Sequence, residues 1–372
     1  MSFHIVKRDN CPLWQKALLY VAAIAIALLL GAVVLLAIDV NPIAYYTRMF
    51  TMGTIGNKIA YKVYINYLKE FVPLALTSVA LSLAFKMKFW NIGGEGQFIL
   101  GAVAASAVAI SLGDTLPSVE VLVLMSLAAM VTAGLYGLVV AALKVRFGTN
   151  ETLLTLMFNY LAIYLLKFLM ETKTSWNFLL NPDELRPVPQ SFPKAAMFPS
   201  IPMGGRFQLN VCVVFTFLIG IVIYLYLKRT KQGYEIAVVG DSAETARYAG
   251  MKVNTIVLRT VFLSACLIGL AAAFKMGTVG TLSNAITNDV GWTGIIVAWL
   301  SQLNTAVIFV VSALICVLHY GSTVAAATFS QVDSSFANML QGAILFLVLA
   351  ADFYTRFRIV PVKKGGNDHA NG

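Results

Sequence analysis

The residues that could do chemistry in this chain are few, and the densest group of them is a glycine-rich segment with a single carboxylate. The segment lies between two apolar runs without a charged residue, 71–85 and 98–112, and reads Asn91-Ile92-Gly93-Gly94-Glu95-Gly96-Gln97. Each run is short for a bilayer span, which takes about 20 residues. In transporters, short or glycine-broken apolar segments mark places where the backbone leaves the helix to face a cavity or protein. A plain cytoplasmic turn with a solvated Glu95 would carry the same glycines.

The sequence has no set of residues that could form a catalytic centre. The three histidines are far apart, so they predict neither a catalytic triad nor a metal site: His4, His319 and His369. The four cysteines have no C-x-x-C spacing and are interpreted as small apolar side chains: Cys11, Cys212, Cys266 and Cys316. The phosphate-binding motif G-x-x-x-x-G-K-[ST] is absent, so the chain does not split ATP by that route. We therefore expect a protein that is not an enzyme and has no cofactor.

The composition indicates a membrane protein. Of 372 residues, 59% are hydrophobic and 12% are charged, with a mean hydropathy of +0.79. A soluble domain carries about twice that share of charge. The net charge of +10 comes from basic residues between apolar runs, which is typical of cytoplasmic loops, so it does not indicate a nucleic-acid partner. The predicted fold is an all-α polytopic membrane protein formed by one transmembrane domain, residues 1–372.

The apolar runs predict about ten transmembrane or half-spanning helices, with both termini in the cytoplasm. The first is the uncharged run Ala17 to Ile38, which is too long for a cleavable signal peptide. Residues 39–70 are predicted to lie in the interface on the outer side. The block 290–332 has no charged residue and is too long for one crossing, so we expect a break at Ser301-Gln302-Leu303-Asn304. The small residues of 98–112 predict a helix in the centre of the bundle.

A weak internal repeat suggests symmetry. Ala84-Phe85-Lys86-Met87 recurs as Ala273-Phe274-Lys275-Met276, in each case near the end of an apolar run and before an irregular glycine-containing stretch. In the predicted topology the first copy faces the cytoplasm and the second faces outward. This is the arrangement of an inverted repeat, which we state as a hypothesis.

Two loops and one polar residue complete the sequence-based predictions. Residues 171–208 hold six of the eleven prolines and predict an ordered outer loop. In the cytoplasmic loop 228–254, Asp241 as N-cap, Glu244 three positions later and Gly250 at the end predict a helix over 242–249 of about two turns. Asn159 is polar at membrane depth, where it either hydrogen-bonds a neighbouring helix or lines a pathway.

Motifs spread over most of the chain are most informative when read together with segment 76–97. In order they are Thr149-Asn150-Glu151-Thr152, Met157-Phe158-Asn159-Tyr160, Gly233-Tyr234-Glu235-Ile236, Gly240, Ala246-Arg247-Tyr248-Ala249-Gly250 and Gly291-Trp292-Thr293-Gly294-Ile295. Together they resemble the permease subunits of bacterial ABC importers in the branched-chain amino acid, simple sugar and nucleoside group. The long proline-rich loop and this form of the glycine motif are most similar to the nucleoside-uptake subgroup.

The resemblance implies a multi-pass permease of the bacterial cytoplasmic (inner) membrane that takes up a nucleoside or a similar small polar solute by alternating access. It implies a cytoplasmic ATP-binding subunit, a second permease subunit that is expected to be a different chain, and an extracytoplasmic solute-binding protein or lipoprotein. Membrane lipid would surround the chain.

The resemblance also assigns roles to particular residues. Those that would shape or line the substrate pathway are Asn91, Glu95, Gln97 and Asn159. Those on the coupling helix and loop that would meet the ATPase are Tyr234, Glu244, Arg247, Tyr248 and Gly250, with Asp241 and Glu244 as caps. A nucleoside is neutral and forms hydrogen bonds, so uncharged polar groups in the membrane suit it.

Two positions depart from the pattern of the family, Phe274-Lys275 and Trp292, and each leaves the identity of the solute open. A simple sugar or a vitamin-like solute is an alternative within the same family. Outside it, the alternatives are a secondary carrier that works alone and a structural subunit without a pathway. The sequence does not identify the solute or the partner permease.

Overall fold

The computed structural model describes residues 3–7, 12–56, 59–204, 206–329, 331–332 and 334–361. Cys11, His369 and position 205 of the predicted outer loop lie outside these ranges. The described residues are mostly helical, with two small antiparallel sheets. The helices are α1 (Leu13–Ala37), α2 (Pro42–Phe50), α3 (Ala60–Lys86), α4 (Gly94–Leu112), α5 (Ser118–Phe147), α6 (Glu151–Glu171), α7 (Val211–Arg229), α8 (Lys231–Asp241), α9 (Ala243–Tyr248), α10 (Val253–Val279), α11 (Val290–Leu300), α12 (Thr305–Thr328) and α13 (Ser334–Arg356). The strands are β1 (Phe3–Lys7), β2 (Ser200–Gly204), β3 (Phe207–Asn210) and β4 (Phe357–Pro361).

Nine helices of the described residues are long and apolar enough to cross a membrane, and α11 is a shorter apolar helix. This agrees with the prediction of an all-α polytopic membrane protein with about ten membrane segments. The predicted break at 301–304 is confirmed, because α11 ends at Leu300 and α12 begins at Thr305. Gln302 and Leu303 have positive φ angles of 50° and 58°, and a right-handed α-helix cannot continue through residues in this conformation.

The prediction for residues 39–70 is wrong in its second half. Residues 60–70 do not form a separate interfacial segment, because α3 runs without interruption from Ala60 to Lys86. Its tyrosines and lysines continue the same helix as the apolar run 71–85, and even Pro73 lies inside it. A change from polar to apolar composition was mistaken for the start of a helix.

The chain divides into two compact units. One consists of residues 1–53 and 318–372. In it α1 packs against α13, and β1 pairs with β4 in the antiparallel register Phe3 to Pro361. The ring of Tyr45 on α2 is buried among aromatic side chains of the same unit, including Phe329 and Phe336.

The other unit, residues 54–317, holds the segments that the sequence motifs single out. Its centre is formed by α3, α4, α5 and α10, in which α10 packs against the other three and α4 packs against α5. A Cβ on Gly101 of α4 would lie 2.9 Å from the Cα of Gly269 of α10. The prediction that the small-residue helix lies in the centre of the bundle is confirmed, since α4 contacts α5, α6, α10 and α11. Such small residues let helix backbones approach closely in lipid.

The predicted outer loop has secondary structure of its own. It contains a 3-10 turn at Lys194–Ala196 and the hairpin of β2 and β3. The inverted repeat stays a prediction. The two tetrapeptides lie near the carboxyl ends of α3 and α10, and both of these helices have 27 residues.

Candidate functional site

The glycine-rich segment forms a break between α3 and α4, and two amide side chains hold it in shape. The Asn91 Nδ2 atom donates to Gln97 Oε1 at 3.2 Å, and Gln97 Nε2 donates back to Asn91 Oδ1 at 3.3 Å. Asn91 Oδ1 also accepts the Gly93 N–H at 3.1 Å, just before α4 begins at Gly94. Both amides are buried, so the pair replaces the water that would otherwise satisfy these groups.

Helix α6 supplies hydrogen bonds to the backbone that the break exposes. Asn159 Oδ1 accepts the Gly96 N–H at 2.8 Å, while Asn159 Nδ2 donates to the Ile92 carbonyl at 2.8 Å. Thr155 Oγ1 accepts the Ile92 N–H at 3.2 Å. In lipid each unsatisfied backbone group costs several kcal/mol, so these three bonds are what permits irregular backbone here. The sequence analysis missed Thr155, although it lies four residues before Asn159 and therefore on the same helix face.

Glu95 is not a solvated turn residue. Its side chain is 3% exposed, and Oε2 accepts the Gly291 N–H at 2.8 Å, in the first turn of α11. A helix amino terminus favours a negative group, so α11 holds the carboxylate that α4 presents. The two helices meet backbone to backbone, because a Cβ on Gly291 would overlap the Glu95 N and Cα atoms. The structure thus joins two of the sequence motifs, 91–97 and 291–295.

The four predicted pathway residues are therefore brought together, with Asn91, Gln97 and Asn159 around the break and Glu95 beside it. All four are buried, and each forms hydrogen bonds within the chain. Among the described residues no group of three or more His, Cys, Asp or Glu side chains could hold a metal ion. The chemistry available at this site is hydrogen bonding, with one carboxylate.

An ion pair lies in the same unit at a position that the sequence analysis did not predict. Lys275 Nζ of α10 lies 2.6 Å from Glu70 Oε1 of α3, and only 5% of the Lys275 side chain is exposed. Lys275 itself stood out in the sequence as a charge near the end of an apolar run. Its partner is 205 residues away in the chain, and no spacing rule connects the two.

The predicted coupling helix exists but starts differently from the prediction. Asp241 is not its N-cap, because Asp241 is the last residue of α8, a helix that the sequence analysis missed. The N-cap of α9 is Ser242, whose Oγ accepts the Thr245 N–H at 3.2 Å. Helix α9 has six residues, fewer than the two turns expected. Because α8 ends at Asp241 and α9 begins at Ala243, Ser242 is the one residue between the two helices and is therefore the N-cap.

Gly250 ends α9 as predicted. It has a φ of +76°, a conformation that glycine adopts without strain. The Met251 N–H bonds the Ala246 carbonyl at 3.0 Å, and the Gly250 N–H bonds the Arg247 carbonyl at 2.9 Å. These two bonds form a Schellman motif, which satisfies the last carbonyls of the helix.

The five predicted coupling residues lie on the surface of the unit. Tyr234 is 63% exposed and Tyr248 is 92% exposed, and the other three are exposed as well: Glu244, Arg247 and Gly250. Only Ala246 of α9 is buried, in an apolar cluster that includes Ile236 of α8 and Ala84 of α3. One face of this short helix is thus anchored, and its polar face is open to a partner.

Helix α8 lies directly on the end of α3. A Cβ on Gly240 would overlap the Lys86 carbonyl oxygen, and Lys88 Nζ donates to the Asp241 carbonyl at 3.2 Å. On its other side, Glu235 forms an ion pair with Arg259 of α10 at 2.9 Å. The exposed helices are therefore attached to the two most buried helices of the unit, α3 and α10.

Comparisons with known proteins identify the family of this chain. Residues 63–349 match the family described as branched-chain amino acid transport system / permease component. The glucose ABC transporter permease protein TsgB13 of Haloferax volcanii is 28% identical over 371 residues, which cover 97% of this chain and 94% of that protein. The guanosine ABC transporter permease protein NupP of Bacillus subtilis is 28% identical over 354 residues, covering 92% and 96% of the two chains.

The nucleoside ABC transporter permease protein NupB of Lactococcus lactis is 24% identical over 338 residues, which cover 90% of this chain and 91% of that protein. No solved structure matches the chain. The family match includes the break at 91–97, its α6 partners and the helices α8 and α9. The chain is therefore a multi-pass permease component of an ABC transporter in the cytoplasmic membrane, not an enzyme, and it belongs to the branched-chain amino acid transport system / permease component family.

Proposed function

We propose that this chain forms part of the pathway by which an ABC importer takes up a nucleoside, driven by separate cytoplasmic ATPase subunits. The observation that carries the proposal is the junction of α9, α8 and α3. Helices α9 and α8 have exposed side chains on one face, and their buried residues belong to an apolar cluster that includes Ala84, two residues before α3 ends. A second permease subunit, expected to be a different chain, and an extracytoplasmic solute-binding protein or lipoprotein would complete the importer.

The contacts support a route for mechanical coupling. An ATPase that binds Tyr234, Arg247 and Tyr248 would move α8 and α9. Glu244 and Gly250 would lie at the edge of this contact. Because Gly240 touches the Lys86 backbone, the movement would reach α3 where the break toward α4 begins. A break held by side-chain hydrogen bonds can change its angle when those bonds rearrange, whereas a continuous helix resists bending. Under this proposal α8 and α9 face the cytoplasm.

Asn91, Glu95, Gln97 and Asn159 shape the pathway in this proposal by fixing the break between α3 and α4. The amides of Asn91, Gln97 and Asn159 are neutral and are bonded within the chain, so they shape the pathway without adding a charge to it, which suits an uncharged solute. Two of the relatives named above are permeases for guanosine and for nucleosides, and each covers at least 90% of this chain. A nucleoside is therefore the first candidate for the cargo.

A simple sugar is the second candidate. The observation in its favour is the glucose permease relative, which covers 97% of this chain at 28% identity. A sugar and the ribose of a nucleoside share a ring with several hydroxyl groups. The same pathway would serve either solute, and only transport measurements separate them.

The test is ATP-dependent uptake by the reconstituted importer. The chain is co-purified with the ATPase and partner permease of the importer and placed in proteoliposomes with the solute-binding protein outside. We expect labelled guanosine or uridine to accumulate only with ATP inside, and unlabelled nucleoside to compete better than glucose. Accumulation by this chain alone would instead indicate a secondary carrier. If uptake is unchanged when Asn91, Gln97 or Asn159 is replaced, the pathway assignment is wrong.

A further inference from the structure

The ion pair between Glu70 and Lys275 has no part in the coupling route above. The structure describes two other ion pairs, Lys144–Glu151 and Arg259–Glu235, and both join residues within about two turns of a helix end. Glu70 instead lies ten residues inside α3, and Lys275, although four residues from the end of α10, has the least exposed side chain of the six; α3 and α10 are both long enough to span a membrane. The Lys275 side chain is 5% exposed and that of Glu70 is 24% exposed.

Stability alone does not account for a charge pair at this position. Replacing a buried ion pair by packed apolar side chains is often neutral or stabilising, because removing two charges from water is costly. Ionisable side chains within membrane helices are rare for the same reason, and they mark functional positions. Helices α3 and α10 already pack closely, as shown by the Ser264 Oγ atom, which donates to the Ala80 carbonyl at 2.7 Å.

The two halves of the interface between α3 and α10 differ in packing. Toward the α8 end, the Ser264–Ala80 contact leaves the two backbones close together. At the opposite end, a cavity of about 270 Å³ lies between α3, α7, α10 and the hairpin of β2 and β3. The part of its lining that lies within one turn of Glu70 or Lys275 comprises Leu68, Lys69, Val72, Gly277 and Thr278. The ion pair is therefore placed where the interface has room to open.

The segment 192–198 of the predicted outer loop is bonded to the same end of α10. The Phe198 N–H donates to the Gly277 carbonyl at 2.9 Å, and the Phe192 N–H donates to the Gly280 carbonyl at 2.9 Å. The Phe198 ring also packs edge-on against Phe274, with centroids 5.4 Å apart. Movement of this segment would reach the turn of α10 that carries Lys275.

On the other side of the pair, α3 is tied to α12. The Tyr67 hydroxyl donates to the Ala313 carbonyl at 3.0 Å, one turn before Glu70. Glu70 is thus fixed to the bundle, whereas Lys275 is fixed to a helix end held by the loop. A displacement of the loop would act on the bond between them.

We propose that Glu70 and Lys275 are positioning residues that hold α3 to α10 in one state of the transport cycle and separate when the segment 192–198 moves. Separation lets the solute into the widened cavity between α3 and α10. The solute-binding protein, by docking on the loop 171–208, supplies the displacement. This inference rests on the proposed function, because it requires that the chain transports a solute that such a protein delivers.

The test is a reversible covalent bridge across the pair in the complete importer. Glu70→Cys and Lys275→Cys are combined in a chain whose four native cysteines are replaced by alanine. A reducible bifunctional methanethiosulfonate joins them, since paired Glu and Lys side chains span more than a disulfide reaches. We expect bridging to lower ATP-dependent guanosine uptake about tenfold, as for a blocked conformational step, and reductant to restore it. The matched control bridges Lys144→Cys to Glu151→Cys, for which we expect uptake to be unchanged.

Retention of uptake by the bridged protein, with the bridge verified by mass, would overturn the proposal. A second variant, Glu70→Gln with Lys275→Gln, leaves no buried charge and tests the same idea without a reagent. We expect ATP hydrolysis in the absence of solute-binding protein to rise about threefold, as for a shifted conformational equilibrium. Unchanged hydrolysis with a lower melting temperature would show a purely structural pair. Lack of uptake by the unmodified importer would contradict the proposed function instead, so the two failures are distinguishable.

Discussion

The segment 91–97 and the helix α9 are both short and polar, but they are built in opposite ways. In the first, every predicted pathway side chain is buried and bonded to a partner within the chain. In the second, Ala246 alone is buried and the predicted contact residues face outward. The polar groups of the first segment are bonded to partners within the chain, whereas those of the second are exposed and can bind another protein.

This difference separates two roles that a polar motif can have: it can fix the local structure, or it can bind another protein. A motif whose polar groups satisfy broken backbone determines shape, and altering it destabilises the protein. A motif whose polar groups are exposed determines contact, and altering it changes binding with little effect on folding. Substitutions at the two sites should therefore move different quantities, and the following experiments test that division.

The largest loss of stability is expected for Gly291→Ala. The new Cβ would overlap backbone atoms of Glu95, which no rotamer change can relieve. Overpacking typically costs about 1–3 kcal/mol and occasionally more, and a clash with backbone falls at the upper end of that range. The yield of folded protein and its melting temperature in detergent should both fall. The matched control is Gly342→Ala inside α13: a Cβ there meets no atom within 4 Å and alanine is the better helix former, so neither quantity should fall.

Asn159→Ala should have the next largest effect. It removes both the acceptor of the Gly96 N–H and the donor to the Ile92 carbonyl. Leaving a buried group unsatisfied costs about 1–3 kcal/mol each. Thr155→Val removes one such partner, the acceptor of the Ile92 N–H, and should lower the melting temperature by roughly half as much. Equal melting temperatures for the two variants and the parent would show that the break does not depend on α6.

The comparison also shows what the sequence could reveal. The break at 301–304 and the end of α9 at Gly250 were predictable, because glycine, polar clusters and run lengths act locally. The partners of Glu95 and Lys275 were not, since they lie 196 and 205 residues away in the chain. Asp241 failed as a cap for a local reason: the residues before it were interpreted as loop, although positions 233, 236, 239 and 240 recur at helical spacing and belong to α8, which continues to Asp241.

Arg247→Glu tests the prediction for α9, whose predicted contact residues are exposed. The side chain is exposed, so the melting temperature should stay within about one degree of the parent. Charge reversal at a protein contact changes association strongly, so we expect loss of ATPase assembly or of ATP-driven uptake. Co-purification and uptake are the measurements. Arg146→Glu, an equal reversal at the exposed end of α5, should leave both intact. Normal uptake by Arg247→Glu would count against the coupling assignment.

Gly250→Ala gives the sharpest comparison. Gly250 and Gly148 have φ angles of +76° and +65°, and neither would bring a new Cβ within 4 Å of another atom. Both follow a helix, so alanine should cost about 1 kcal/mol at either position through the backbone alone. Equal stability loss removes folding as an explanation for any difference between the two variants. Only Gly250→Ala distorts the end of α9, so only this variant should lower uptake per ATP hydrolysed.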